Sequence, residues 1–83
     1  MTVNVIVKTY GSEVNWHIDN QAVHGPYPDQ MQDTQVITLE PGEHTLNYID
    51  TYGDGWHGGT IEIEGFVAPI AVHGSGAVTT FTV

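Results

Sequence analysis

A chain of 83 residues without cysteine has room for one small domain, residues 1–83, and lacks the covalent staples that often hold domains of this size. Ten acidic residues against Lys8 alone, with no arginine, give a formal charge of −9. That balance repels phosphate backbones and supplies no bidentate cationic donors, which makes nucleic acid and anionic membrane surfaces poor partners. The same self-repulsion opposes a compact state, and bound divalent cations would relieve it.

The chain opens on an alternating pattern. There is no basic stretch followed by an apolar one, so no signal peptide is expected, and no run approaches the ~20 apolar residues of a spanning helix. Val3, Val5 and Val7 alternate with Asn4, Ile6 and Lys8, which predicts a strand ended by Tyr10-Gly11-Ser12. Val14, Trp16 and Ile18 alternate with Asn15, His17 and Asp19, a second, half-buried strand with Trp16 in the core and His17 on the polar face.

From Asn20 to Asp33 the pattern breaks. Gly25-Pro26 and Tyr27-Pro28 punctuate a loop, with a short edge strand around Ala22 to His24. Gln35 to Glu40, the Pro41-Gly42 turn and His44 to Asp50 read as a hairpin. Thr60 to Glu64 is a strand with Ile61 and Ile63 on one face. Phe66 to His73 is another, which Pro69 confines to an edge or bulge, and Ala77 to Val83 closes the chain. Seven or eight short strands between Gly/Pro turns predict an all-β fold, an antiparallel sandwich or barrel.

One stretch does not fit strand packing. Between Asp50 and Gly59, two carboxylates, four glycines and Trp56 crowd into a single loop. The glycines let the backbone curl through positive φ, and Asp50 and Asp54 place hard oxygen donors within that curl, so the loop suits Ca²⁺, with carbonyls of Tyr52 or Trp56 adding to the shell. The simpler alternative is that Asp and Gly only make turns here, Asp by bonding its own backbone. Two carboxylates are too few for calcium alone, and a further ligand must come from elsewhere in the chain.

A loose internal echo points to where. Thr9-Tyr-Gly11, then Glu13 and Trp16-His17, parallels Thr51-Tyr-Gly53, then Asp54 and Trp56-His57. Thr, Tyr and Gly are abundant in turns, so chance competes with a true repeat, and a true repeat would set both loops at one end of the fold.

Three segments together resemble a class of small β-sandwich accessory modules, repeated on secreted and cell-surface proteins, that carry an Asp-x-Tyr-Gly-Asp-Gly-Trp-x-Gly motif. The matching residues are Tyr10 to Trp16, Leu39 to Leu46 and Asp50 to Gly58. Gly11 stands where the class often has proline and His57 where it often has asparagine, and the cysteines of many members are missing. The resemblance implies a compact antiparallel jelly-roll-like β-sandwich and a secreted or cell-surface setting. It also implies that the Glu13 segment travels with the Asp50 to Gly58 loop, which makes Glu13 the third carboxylate of the calcium site.

Catalysis has little support. No serine stands in an elbow motif, and carboxylates holding a cation are not available as acid and base, so the chain is not expected to be an enzyme. The histidines show no short ligand spacing, which argues against structural zinc. The expectation is a calcium-dependent carbohydrate-binding module whose glycan meets Trp56 as an apolar platform, with His57, Tyr52, Asp54 and Tyr10 around it. The competing expectation is a module whose calcium only fixes a loop and whose partner is another protein. A homo-oligomer is expected in addition, because lysine-poor strand edges and a small core both gain from pairing.

Overall fold

The computed structural model describes residues 1–83. Seven strands occur in chain order: β1 (Thr2–Ile6), β2 (Val14–Ile18), β3 (Gln32–Val36), β4 (Glu43–Asp50), β5 (Thr60–Ile63), β6 (Val67–Ala71) and β7 (Gly76–Thr82). They form two antiparallel sheets, one of four strands in the order β3-β1-β5-β6 and one of three in the order β2-β4-β7. The fold is therefore the small all-β sandwich expected from the alternating sequence.

The alternation works because successive side chains point to opposite faces of a strand. In β1, Val3 and Val5 are buried, and Val14, Trp16 and Ile18 are the buried positions of β2. Opposite them on β4, Leu46 pairs with Ile18 and Tyr48 with Trp16. Ile61 and Ile63 close the facing sheet, and Trp56 and Val72 enter the same cluster from loops. With no disulfide, this apolar cluster is the main store of stability.

One expectation is corrected. Gln35 to Glu40 and His44 to Asp50 do not make a hairpin, because β3 lies in the four-stranded sheet beside β1, while both flanks of β4 are taken by β2 and β7. The chain between them crosses from one sheet to the other. Ile37 still bonds Met1 at the first sheet, Ile37 and Leu39 pack on the core, and Gly42 exchanges backbone bonds with Val83 at the second. The edge strand expected around Ala22 to His24 reduces to one bridge between His24 and Trp16.

β4 carries the feature that sets up the site. Its core-facing positions are Leu46, Tyr48 and then Asp50, so strand periodicity delivers a carboxylate to a buried position at the strand's last residue. The loop after Asp50 has to satisfy it.

Candidate metal and ligand site

Asp50 is 3% exposed. A carboxylate there is costly unless its oxygens find donors, and the loop supplies them. Oδ1 accepts the Tyr52 N–H at 2.9 Å and Oδ2 accepts the Asp54 N–H at 2.9 Å, so Asp50 folds the next four residues around itself. Burial pushes its carboxyl up, but hydrogen bonding from the Tyr52 N–H, the Asp54 side chain and the N–H groups of Gly53 and Asp54 outweighs that effect and leaves it below the usual range.

The loop is then pinned against the core. Trp56 is 1% exposed, and its indole N–H donates to the Ile49 carbonyl at 3.0 Å. Gly55 N–H donates to Gly74 and Trp56 N–H to Val72, so this part of the loop lies along residues 72–74. A side chain at Gly55 would put Cβ 2.9 Å from the Val72 carbonyl oxygen, and φ there is +88°, so the close approach requires glycine.

The second segment arrives from the start of β2. Tyr10 sits at φ 57°, in the left-handed region, and turns the chain into a short 3₁₀ segment, Gly11–Glu13. Asp29 holds that turn by accepting the Gly11 N–H at 2.7 Å. The Glu13 carbonyl accepts the Thr51 N–H at 3.2 Å, which ties the two segments together.

Side chains from both segments converge at this end of the sandwich. Ligand-capable atoms of Glu13, Asp54 and His57 lie within 4.8 Å of one another. His57 Nε2 is 3.1 Å from Asp54 Oδ2, and the His57 ring is 4.7 Å from that of Tyr10. His57 also has positive φ, 51°, an uncommon conformation for a residue with a side chain. Glu13 Oε2 is shielded from solvent and has no hydrogen-bond partner. Burial first, then the negative charges of Asp54 and Asp50, push the Glu13 carboxyl above its usual range.

An open pocket of ≈ 550 Å³ lies over this cluster, lined by Tyr10, Ser12, Glu13, Tyr52 and Asp54. Tyr52 is 79% exposed and Tyr10 59%, so two phenol rings stand free beside the carboxylates.

The sequence-predicted residues therefore separate into three groups. Glu13, Asp54, Tyr10 and Tyr52 come together around one pocket, and His57 joins Glu13 and Asp54 beside it. Asp50 underlies them, with both oxygens already bonded to the loop backbone, so it shapes the site as much as it faces it. Trp56 does not stand at the surface as the expected platform, because its ring is consumed by the core, and its carbonyl accepts the Gly59 N–H at 2.9 Å. Two features go beyond the sequence reading. Ser12 lines the pocket with nothing but adjacency to Glu13 to announce it. Moreover, His57, expected only as a ligand contact, joins the carboxylates themselves.

The chain matches no protein-family model, no curated protein and no solved structure.

Proposed function

We propose that the chain is a calcium-dependent carbohydrate-binding module and not an enzyme. The observation that carries this reading is the solvent-shielded, unpartnered Oε2 of Glu13, held beside Asp54 and above Asp50. A buried acceptor without a donor is expensive, and two converging carboxylates, with the charge of Asp50 close behind and no lysine or arginine among them, are complementary to a cation. The donors are mostly oxygens, which suits calcium. Glu13 and Asp54 would hold the ion, with Asp50 behind them and the Tyr52 carbonyl as a further donor.

Bound calcium offers coordination positions that sugar hydroxyls can take in place of water. The flanking aromatic faces, Tyr52 and Tyr10, replace Trp56 as the apolar surface for a sugar ring, and His57 and Ser12 offer orienting hydrogen bonds. A shallow site of this kind buries little of its ligand, so affinity is expected on the order of micromolar to millimolar per site.

A second reading is favoured by the bond between Glu13 and Thr51. The anionic cluster spans two segments that a cation would clamp, and the module could then serve only as a calcium-stiffened protein-interaction domain.

Calorimetry with Ca²⁺ and a glycan array run with and without chelator separate the two. The expected result is calcium binding with a raised melting temperature, lost in Glu13→Gln, and chelator-sensitive glycan binding, lost in Tyr52→Ala with the calcium shift retained. Calcium binding without any glycan would support the structural reading, and no melting shift at millimolar Ca²⁺ would overturn both.

A further inference from the structure

The ten carboxylates all lie between Glu13 and Glu64, and residues 65–83 contain neither acid nor Lys or Arg. Strands β6 and β7, one in each sheet, are thus free of charged side chains on a chain of charge −9. Those two strands supply two of the four sheet edges, and the four edges of the sandwich are not alike.

Three of them are blunted. The outer side of β2 is covered by the chain at His24, which exchanges both backbone bonds with Trp16 at 3.0 and 2.8 Å. Strand β6 carries Pro69 at its centre, which cannot donate. Strand β3 is five residues long and carries a negative charge at Asp33, whose carboxylate accepts from Tyr27 and Gln35, so pairing two copies there would bring like charges together. The fourth edge, β7, has seven residues, no proline, no charge and no covering segment.

Its register shows which groups it presents. Gly42 and Val83 exchange both N–H and C=O bonds, so the alternation of an antiparallel ladder makes Phe81, Thr79 and Ala77 the residues that bond to β4. The intervening residues Val78, Thr80 and Thr82 turn their backbone groups away from the sheet. All three are exposed. The run is rich in β-branched residues, which suit a paired strand.

We infer that β7 is a self-association edge, pairing antiparallel with β7 of a second copy about a two-fold axis at Thr80. In that register Thr80 faces Thr80 of the other copy and Val78 faces Thr82, each pair exchanging both backbone bonds. The two three-stranded sheets become one continuous sheet with matched β-branched pairs and no like charges opposed. Strongly acidic copies repel one another over most of their surface, and the uncharged strip is where they approach at least cost. Pairing through β7 does not depend on the calcium site.

Light scattering over a concentration series is expected to give twice the 9.0 kDa monomer mass at high micromolar protein. Thr80→Lys places two ammonium groups at the dyad while lowering the overall negative charge, so it is expected to yield a monomer despite weaker general repulsion. Thr34→Lys on β3 is expected to remain a dimer. Amide exchange of the wild type decides the matter even if a variant misfolds: the N–H groups of Val78, Thr80 and Thr82 should slow as concentration rises. A wild-type monomer throughout, a dimeric Thr80→Lys, or concentration-dependent protection at Gln32, Thr34 and Val36 instead of β7 would each overturn the assignment.

Discussion

Two carboxylates at the ends of core strands meet opposite fates. Asp19, just past β2, accepts the Thr45 N–H at 2.8 Å and the Thr45 hydroxyl at 3.2 Å, and its Oδ2 lies 2.7 Å from His44 Nδ1. The other nitrogen of His44 faces the Glu40 carbonyl at 2.7 Å. Both ring nitrogens address acceptors, an arrangement that favours the protonated ring, and the chain supplies its own counter-charge. At the Glu13 end the carboxylates crowd one another, and the side chain set among them is His57, 3.1 Å from Asp54. The first arrangement is closed. The second has acceptors left over, which is the physical difference between a structural anion and one built for a ligand.

The largest expected effect lies in the support beneath the second site. Trp56→Ala removes a buried indole and its bond to Ile49, and large-to-small changes of this kind cost about 3–5 kcal/mol. Urea unfolding should show the loss, and the loop should loosen together with the core. A surface platform would give a change within about 0.5 kcal/mol, so the size of the effect tests the buried placement.

Next in size is Asp50→Ala. It leaves the N–H groups of Tyr52 and Asp54 without their acceptor, at about 1–3 kcal/mol. Because Asp50 organises the loop that carries Asp54, the same substitution should abolish the calcium melting shift. Asp50→Asn keeps an acceptor oxygen and should recover part of the stability but not the cation.

The periodicity of the strands made most of this architecture readable in advance. Valines at alternate positions of β1 and the Val14, Trp16, Ile18 series settle which faces are buried, and Gly/Pro punctuation separates the strands. The pairing of strands was less legible. Pro41-Gly42 looks like a hairpin turn because turn chemistry is local, whereas sheet membership depends on β2 and β7, distant in sequence, having already occupied both flanks of β4. At the site, the Asp-Gly loop and the Glu13 segment could be brought together from the sequence. The fate of Trp56 could not, because glycine loops expose some side chains and bury others, and only residues 72–74 decide which. Asp50 did carry a signal, being in phase with Leu46 and Tyr48.

A smaller effect separates the two ends through pH. Hydrogen bonding to His44 and to Thr45 holds Asp19 below its usual range, while Asp19, with the Glu40 carbonyl, raises His44. The contribution of Asp19 is present above its ordinary value near 3.8 and fades as pH falls through the lowered folded value. That of His44 is complete below its ordinary value near 6.5 and is lost as pH rises through the raised folded value. The pair therefore stabilises most between those ordinary values. Melting curves of the wild type and His44→Gln should differ most within that window and converge on the alkaline side. A pH-independent difference would mean that the ring acts by packing against Phe81, 5.9 Å away between ring centres, and not by charge.

The smallest expected effect is the most discriminating, because it has opposite signs at the two ends. Asp19→Asn removes a charge that is neutralised within the fold, so it should lower the melting temperature. Glu13→Gln removes a charge that faces Asp54 and Asp50, and it gives the shielded position an amide able to donate to those carboxylates. In chelator it should therefore raise the melting temperature slightly. Adding Ca²⁺ should reverse the ranking, since the wild type gains the binding energy of the ion by mass action while Glu13→Gln gains little. Asp19→Asn should keep the calcium shift unchanged, because Asp19 belongs to a closed network. If Glu13→Gln were the less stable protein in chelator, Glu13 would be contributing a favourable structural contact, and the contrast between the two carboxylates would disappear.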